Sequence, residues 1–410
     1  MNSELKPKIR FKGFIDDWEQ RKLGEIIIDT IDNRGKNPPY YCKSGIPIID
    51  NFMIKNNGYP NLKIATRYLD DYLFNNFVRK YNELDDTLIT LVGNGIGNIA
   101  LFPKEKSAII QNTLGMRFEE PKKFKYYSLL SKNNQIIKLD RGMAQPSIRQ
   151  DELKDIYIEL PIFDEQLKIS RLMSNIDNLI TLHQRKCDKL VELKKSLLEK
   201  MFPQNNSVIP EIRFKGFTDD WEQRKLSDNL KNIQTGTNLL GSINNLGTPL
   251  LKMGNIQRGY FTTDKLEYLK DYSSIEKENI ANFGDFFFNT RNTLELVGKG
   301  ATWFGISGKY AFNSNIARFT FEGINTTFFN YLYNTESLLK QVHSRATGTT
   351  SVAAIYPQSL NTIEYMLPSY DEQSKIGNLL LDLDNLITLH QRKHDKLNKI
   401  KQSLLNDMFV

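Results

Sequence analysis

One stretch of eight residues, Leu-Ile-Thr-Leu-His-Gln-Arg-Lys, occurs twice in the chain, at 179–186 and again at 386–393. Each copy lies in a long helical pattern that starts after a proline, Pro161 or Pro368. When the 42 residues that begin at each proline are aligned, 26 positions are identical. Two unrelated helices of similar composition would not share so many residues, so the chain contains two copies of one unit.

In both helices, mainly apolar residues recur at alternating steps of three and four. This is the heptad pattern of helices that pack together. Each helix therefore requires a long partner, and two related halves pair most simply antiparallel about a pseudo-two-fold axis. About 37 residues give a rod of roughly 55 Å. The predicted seam of the first helix contains Leu172, Ile176, Leu179, His183, Lys186 and Leu190, and that of the second contains Leu379, Leu383, Leu386, His390, Lys393 and Leu397. The paired His and Lys are interpreted as polar positions that set the register, and no metal site is predicted.

A second repeated motif opens each copy. It reads Phe-Lys-Gly-Phe at 11–14 and 214–217, followed by Asp-Asp-Trp-Glu-Gln-Arg-Lys-Leu at 16–23 and 219–226. Between this opening and the helix the copies diverge, although the pentapeptides at 91–95 and 296–300 align. Short β-branched and aromatic runs bounded by Gly, Asn, Pro and Asp predict strands at 87–92, 156–160, 286–289 and 316–321. Asp164 and Asp371 are predicted to cap the long helices.

These patterns predict mixed α/β (α+β) domains separated by long helices. The expected boundaries are a first domain at 1–160, a helix at 161–202, a linker at 203–212, a second domain at 213–367 and a helix at 368–410. In a symmetric arrangement, a connection equivalent to the linker would join the C-terminus to the N-terminus. The two termini are therefore expected to lie close together.

Bulk properties narrow the function classes. A chain of 410 residues has room for at least two cores. No apolar run is long enough for a membrane span or a secretory signal, so a cytoplasmic location is expected. Two cysteines cannot supply a disulfide framework or a four-cysteine zinc site. The formal net charge of +7 favours polyanionic partners, though charge alone is weak evidence.

Basic and amide side chains are frequent on turn-like stretches of both divergent centres. Arg suits guanine edges, Asn and Gln suit adenine, and Lys, Ser and Thr suit phosphates, although all of these are also ordinary loop residues. The DNA-binding candidates of the first copy are Arg34, Lys36, Asn94, Asn98, Gln111, Asn112, Arg141, Gln145, Ser147 and Arg149. Those of the second are Thr237, Asn238, Asn255, Gln257, Arg258, Arg291, Asn292, Asn313, Asn315, Arg345, Thr349, Thr350 and Ser351.

Two other functions remain open. Asn-Pro-Pro-Tyr at 37–40 matches the tetrapeptide with which amino-methyltransferases hold a flipped adenine, and Gly-Asn-Gly-Ile-Gly at 93–97 resembles a Gly-rich cofactor loop. The second copy has no counterpart of the tetrapeptide, and neither half has enough strands and crossover helices for a Rossmann-like enzyme. The remaining alternative is an adaptor whose helices recruit other proteins without reading a sequence.

The two opening motifs, the Leu-Pro…Asp-Glu-Gln helix starts and the duplicated helices resemble the specificity subunits of type I restriction–modification enzymes, the HsdS family, over essentially the whole chain. The resemblance implies two target-recognition domains that each read half of a bipartite DNA site, and an antiparallel helical spacer that docks methyltransferase subunits. It further implies no catalytic residue and no bound cofactor in this chain. Modification (HsdM) subunits, two of them expected, would use S-adenosylmethionine, and restriction (HsdR) subunits would use ATP and Mg²⁺.

Overall fold

A computed structural model of the chain describes residues 5–35, 37–142, 145–204, 207–244, 246–270 and 275–410. The chain forms two compact units. Unit 1 comprises Met1–Arg185 and His390–Val410, and unit 2 comprises Lys186–Leu389. Each of the two long helices therefore contributes one half to each unit. No helix in the described ranges is both long and apolar enough to span a membrane.

The elements of the first copy surround a four-stranded antiparallel sheet. They are β1 (Glu19–Lys22), α1 (Leu23–Ile26), β2 (Ile27–Asp32), β3 (Ile46–Pro47), β4 (Tyr68–Leu69), α2 (Asp71–Phe77), β5 (Thr87–Thr90), β6 (Ile99–Leu101), β7 (Thr113–Phe118), α3 (Lys122–Ser131), α4 (Asn133–Ile137), α5 (Gln150–Lys154), β8 (Tyr157–Leu160) and α6 (Phe163–Lys200). The sheet order is β2-β7-β5-β6, while β1 pairs with β8 and β3 with β4.

The second copy repeats this scaffold. Its elements are β9 (Glu222–Lys225), α7 (Leu226–Asn229), β10 (Leu230–Thr235), β11 (Pro249–Leu251), β12 (Glu267–Tyr268), β13 (Ile280–Ala281), β14 (Phe286–Asn289), β15 (Arg291–Asn292), β16 (Gly300–Thr302), β17 (Tyr310–Phe312), β18 (Ile316–Phe321), α8 (Thr326–Tyr333), α9 (Glu336–His343), β19 (Thr347–Gly348), β20 (Ala353–Ala354), β21 (Glu364–Leu367) and α10 (Tyr370–Asp407). The four-stranded sheet β10-β18-β14-β16 matches the order of the first, and β9 pairs with β21. The second copy adds the sheet β12-β11-β17-β13 and the small sheet β15-β20-β19.

The four predicted strands are confirmed, with somewhat shorter bounds for two of them. The run at 87–92 forms β5 over Thr87–Thr90 and the run at 156–160 forms β8 over Tyr157–Leu160. The runs at 286–289 and 316–321 form β14 and β18 with the predicted limits. Mixed α/β structure in both copies is therefore confirmed.

An aromatic triad anchors the helix ends to the sheet domain in each unit. In unit 1, Trp18 packs against Phe124 and Phe409 with ring centroids 5.8 and 6.3 Å away. In unit 2, Trp221 packs in the same way against Phe328 and Phe202, at 5.9 and 6.3 Å. The tryptophans belong to the opening motifs, and Phe202 and Phe409 end the repeated 42-residue segments. The repeated sequence thus forms the same core twice.

A buried ion pair repeats in the same way. Arg10 donates two hydrogen bonds of 2.7 Å to Glu165, whose side chain is fully buried. Arg213 donates to Glu372 at 2.7 and 2.8 Å. Because two parallel bonds fix the guanidinium and the carboxylate in one plane, each pair fixes the start of a long helix against the opening motif.

The long helices begin two residues earlier than a cap at Asp164 or Asp371 requires. Helix α6 starts at Phe163 and α10 at Tyr370, and each contains 38 residues, a length of about 57 Å. Asp164 and Asp371 therefore lie in the first helical turn. Their negative charges interact favourably with the helix dipole there, but neither residue is the N-cap. The predicted capping role is wrong.

Four of the twelve predicted seam residues are exposed in the structure. Ile169, Ile176 and Leu383 are buried, and His183 and His390 are half-buried. The predicted seam positions Leu179, Lys186, Leu386 and Lys393 are instead exposed, Leu179 and Leu386 by 43% each. The row one residue later is more covered: Met173, Cys187 and Leu380 are buried, and Ile180, Ile387 and His394 are half-buried.

Within unit 1 the two helices run antiparallel. Asp177 of α6 accepts a 2.7 Å ion pair from Lys401 of α10, and six residues further along α6 His183 contacts His390 through their Nδ1 atoms, 2.8 Å apart. The residue number rises along one helix as it falls along the other. Lys194 and Asp384 form the equivalent ion pair within unit 2, at 2.5 Å.

The C-terminus lies beside the opening segment in unit 1. The Ile9 N–H donates to the Asp407 carbonyl at 2.8 Å. In unit 2 the Ile212 N–H donates in the same way to the Lys200 carbonyl, at 2.9 Å. The end of one helix therefore meets the next opening motif in both units, as the symmetric arrangement predicts.

Candidate nucleic-acid interface

Three loops meet at one end of the four-stranded sheet in each unit. In unit 1 the Leu91 N–H, directly after β5, donates to the Asn112 carbonyl before β7, and the Ile148 N–H donates to the Leu91 carbonyl. In unit 2 the corresponding bonds join Thr290 to Asn315 and Ile355 to Thr290. Most of the predicted DNA-binding residues lie on or beside these loops.

The same hydrogen bonds correct one alignment made from the sequence. Thr290 occupies the position of Leu91, so residues 296–300 are not the structural counterpart of 91–95. The connection between β14 and β16 is two residues longer than that between β5 and β6, and Gly298 corresponds to Gly97, since both N–H groups donate to the last residue of the preceding strand. The Leu-Val-Gly tripeptides at 91–93 and 296–298 therefore occupy non-equivalent positions in the two loops.

Amide side chains surround Gly93 in unit 1. A methyl group placed on Gly93 would lie 3.7 Å from Asn51 Nδ2, 3.9 Å from Asn112 Nδ2 and 4.0 Å from Gln145 Nε2. Asn112 and Gln145 were candidates from the sequence, whereas Asn51 was not. Asn51 donates to the Asn94 carbonyl at 2.9 Å, which joins the short 3₁₀ helix Asn51–Met53 to the loop after β5.

The arginines among the unit 1 candidates are paired with carboxylates. Arg34 donates to Asp32, Arg141 pairs with Glu152, and Arg149 lies 3.9 Å from Asp151. The hydrogen bond from the Arg34 side chain lowers the pKa of Asp32, and the bond from the Arg34 backbone N–H adds to this effect. Burial acts in the opposite direction. These guanidiniums therefore reach DNA only by sharing or breaking an ion pair.

The remaining unit 1 candidates differ in what they contact. Gln111, at a φ of +58°, accepts from Arg67 and donates to Asn37 Oδ1 at 2.9 Å. Asn98 donates to the Ile54 carbonyl at 2.9 Å, which holds a turn together. The Ser147 N–H donates to Asp140, while Asn94 is exposed. Lys36 lies outside the described residues.

An ion pair beside these loops has opposite polarity in the two units. In unit 1 Arg67 donates to Asp50. In unit 2 Lys252 pairs with Glu267 at 2.7 Å. The pairing of Pro47 with Tyr68 and of Pro249 with Tyr268 shows that Arg67 and Glu267 occupy the same position. This reversal could not be predicted from the sequence, because these segments share few residues.

Basic side chains cluster beside the β14–β16 connection of unit 2. Lys299 donates to Gln257 Oε1 at 2.7 Å, and Arg258 reaches the Glu295 carbonyl at 3.5 Å. Within the described chain, neither cation forms a salt bridge. Partial burial, followed by the positive charge of Arg258, lowers the pKa of Lys299, and the same two causes lower the pKa of His343. An incoming anion would relieve this repulsion.

Several unit 2 candidates hold loops together. Asn255 is buried and donates to the Thr262 carbonyl at 3.0 Å, and buried Asn313 accepts from the Asn315 N–H at 3.2 Å. Buried Thr237 accepts from the Leu239 N–H, and Arg345 donates to the Ser359 carbonyl at 2.9 Å. The candidates left exposed or half-exposed at the loops are Asn238, Gln257, Arg258, Arg291, Asn292, Asn315, Thr349, Thr350 and Ser351.

The segment at 37–40 is an irregular loop. The Tyr40 ring is half-exposed and its hydroxyl donates to Asp70 at 3.1 Å, while Asn37 bonds with Gln111. The described strands form mostly antiparallel sheets, and their only parallel pairing within named strands joins β11 to β17. This is not the doubly wound parallel sheet of a Rossmann-like enzyme. In the described parts of the chain, no three His, Cys, Asp or Glu side chains are grouped to hold a metal.

Comparison with known proteins gives consistent matches over nearly the whole chain. The family model described as "Type I restriction modification DNA specificity domain" matches residues 15–192 and again 218–399. The type I restriction enzyme MjaVIII specificity subunit of Methanocaldococcus jannaschii is 25% identical, with 95% of this chain and 92% of that protein covered. The putative type I restriction enzyme MjaX specificity subunit of the same organism is also 25% identical, with the same coverage.

A solved structure shows the same fold. The crystal structure of the type I restriction–modification system S subunit from M. genitalium superposes with a TM-score of 0.67, at 14% identity and with 99% of each chain covered. The two family matches account for most of the sequence, and each includes one scaffold with its three loops. The chain therefore belongs to the type I restriction modification DNA specificity domain family, and it contains two copies of that domain.

Proposed function

We propose that this chain is the DNA-recognition subunit of a type I restriction–modification complex, in which each unit reads one half of a bipartite site. The observation that carries the proposal is the repetition of one scaffold with different side chains on its loops. Arg67 is replaced by Glu267 at an equivalent position, and Gln145 is replaced by Val352. The two half-sites should therefore differ, and the whole target should be asymmetric.

The long helices set the distance between the half-sites in this proposal. A 38-residue helix is about 57 Å long, enough to hold two readers on one face of a duplex about one helical turn, some 34 Å, apart. Bases between the half-sites would then remain unread. The helices also dock the methyltransferase subunits, and two copies of the helical sequence suit two such subunits.

Chemistry would take place on the partners. Modification subunits would bind S-adenosylmethionine and methylate adenine, and restriction subunits would use ATP and Mg²⁺. This chain would supply no catalytic residue and bind no cofactor, and the complex would act in the cytoplasm. The mainly antiparallel sheets of the described residues support this division of roles over an enzyme with its own adenine site.

The proposal is tested by sequencing methylated adenines in DNA from cells that carry this chain with its modification partner. We expect one asymmetric motif with an unread gap. Methylation without a sequence preference would favour the adaptor function. Binding of S-adenosylmethionine by the isolated chain, measured by calorimetry, would favour the enzyme.

A further inference from the structure

Three loops of unit 1 bring amide side chains to one place. The Gly93 N–H donates to the Pro146 carbonyl at 2.9 Å, and the Leu91 N–H donates to the Asn112 carbonyl at 2.8 Å. These bonds place the segment after β5 between the segment before β7 and the segment before α5. The bond from Asn51 to the Asn94 carbonyl attaches a fourth segment. Because backbone bonds hold the segments, the backbone positions that carry the amides are set before any ligand arrives.

Gly93 leaves the space between these amides open. Its φ is +84°, a conformation that residues with a side chain rarely adopt. The amide nitrogens of Asn51, Asn112 and Gln145 all lie within 4.0 Å of the position that a methyl group on Gly93 would occupy. The absence of a side chain therefore creates a niche lined by hydrogen-bonding groups.

The amides are available to a ligand. Gln145 is exposed, and Asn51 and Asn112 are half-buried. Among the residues that the structure describes, the side chains of Asn112 and Gln145 have no hydrogen-bond partner, and Asn51 uses one donor. The neighbouring cation Arg67 is held by Asp50 and by Gln111. The free hydrogen-bonding groups of this niche are therefore amides.

An amide can donate to adenine N7 and accept from adenine N6 at the same time, whereas guanine suits the donors of Arg or Lys. We infer that Asn112 and Gln145, supported by Asn51, read an adenine of the half-site bound by unit 1. This inference rests on the proposed function and adds the identity of one base to it. The adenine concerned is a position other than the methylated one, since a base that undergoes methylation is taken out of the stack.

Unit 2 lacks this cluster. Its β15–β20 pairing matches Ala354 to Ser147 and Arg291 to Val92, so Val352 corresponds to Gln145 and Asn292 to Gly93. Val352 is 70% exposed and carries no hydrogen-bonding side chain. Asn315, the counterpart of Asn112, retains an amide, but Asn292 carries a side chain at the position where Gly93 leaves the niche open. The adenine reader is therefore specific to unit 1, and its loss should affect one half-site alone.

The test uses the full chain with its modification partner in cells, and methylated adenines are sequenced. The variants are Asn112→Asp and Gln145→Ala, with Gln135→Ala, an exposed amide on α4, as the matched control. Asp accepts but does not donate, which suits cytosine N4. We expect Asn112→Asp to relax one A·T position of one half-site or shift it towards C, about ten- to hundredfold, and Gln145→Ala to relax the same position.

The other half-site and the control should keep the wild-type motif. The inference is overturned if both variants methylate the wild-type motif unchanged, or if both half-sites change together. A wild-type chain that gives no gapped motif would instead refute the proposed function, so the two failures are distinguishable. Melting temperatures of the purified complexes, equal within about 2 °C, would show that Gln145→Ala acts through recognition, since an exposed substitution has little effect on stability.

Discussion

Several side chains that are identical in both units stabilise the scaffold, whereas many of the side chains that differ lie on the loops. Arg10 with Glu165 and Arg213 with Glu372 make the same buried pair, and the same holds for the triads around Trp18 and Trp221. A DNA-reading residue is under the opposite constraint, because each half-site requires its own donors and acceptors. The buried side chains that are identical in the two copies are therefore structural.

Arg258 is expected to contact the DNA backbone. Its side chain is exposed, it lies beside Lys299, and no described carboxylate pairs with it. An unpaired cation that neutralises one phosphate releases counterions on binding. We predict that Arg258→Ala weakens DNA binding about equally on target and unrelated sequences. The slope of log K against log salt should become shallower by about 0.9, as measured by fluorescence anisotropy of the DNA-bound complex across salt concentrations.

Lys340→Ala is the matched control for Arg258→Ala. Lys340 is also an exposed cation of unit 2, but Glu336 already pairs with it at 2.6 Å on the same helix. Its removal should leave the salt slope unchanged. If Arg258→Ala instead relaxed one base of the motif while the slope stayed constant, Arg258 would be a base reader and the phosphate assignment would be wrong.

The candidate residues could be found from the sequence only as a class. Turn-like stretches rich in Arg, Asn and Gln did lie at the loops, yet Asn255 and Asn313 proved to be buried in turns and Arg345 to bind backbone. Asn51 and Arg67 were missed because they lie on short elements far along the chain from Gly93 and Gln111. Which amides converge depends on long-range pairing, and spacing in the sequence carries no such information.

At the scale of elements, the spacing of apolar residues did not determine which face of each long helix is buried. Leu172 and Met173 are both apolar, as are Leu179 and Ile180, so steps of three and four fit either row. In the structure the later row is the more buried of the two, and Cys187, Lys194 and Lys401 also lie in it. Lys194 and Lys401 pack their stems inward while their ammonium groups pair with Asp384 and Asp177. A pattern that counts only apolar residues overlooks such positions.

The contact between His183 and His390 tests whether a polar pair sets the helix register. Each imidazole is half-buried, and a polar residue at such a position lowers stability while it excludes other registers. We predict that His183→Leu with His390→Leu raises the free energy of unfolding by about 1 kcal/mol per substitution, measured by denaturant titration. The methylation motif should then show more than one gap length.

The control for the histidine pair is Thr181→Leu with Thr388→Leu, at exposed positions of the same helices. Leucines there should neither stabilise the chain nor alter the gap. Unchanged stability of the histidine variant, together with a lost affinity for the methyltransferase subunit, would show that the imidazoles contact that partner and do not lock the register.

At the scale of the whole molecule, the repeat places two recognition domains on one chain, and in the proposed function they would read a target that is not symmetric. A homodimer of identical subunits would require a palindrome, because its two readers carry the same side chains. Duplication within one chain keeps the scaffold and lets the loops differ, as they do at Arg67 and Glu267. The sequence alone predicted this architecture, since the duplicated motifs are long, whereas the loop conformations required the structure.

The proposed spacer can be shortened without disturbing either unit's pairing register. Counting three residues in each direction from the His183–His390 contact, in an antiparallel register, matches 180–186 of α6 to 387–393 of α10. Removing both segments deletes one heptad from each helix, about 10.5 Å, or about three base pairs of duplex. Both histidines are lost with these segments, so the reference is the His183→Leu with His390→Leu variant. We predict a methylation motif with unchanged half-sites and gaps about three base pairs shorter than those of that variant, or no methylation if the readers no longer fit one face of the DNA. Removing 180–186 alone is the control, and it should disrupt helix pairing, measured as a lowered melting temperature. A double deletion that methylates the wild-type motif with its gap unchanged would show that the helices do not set the spacing.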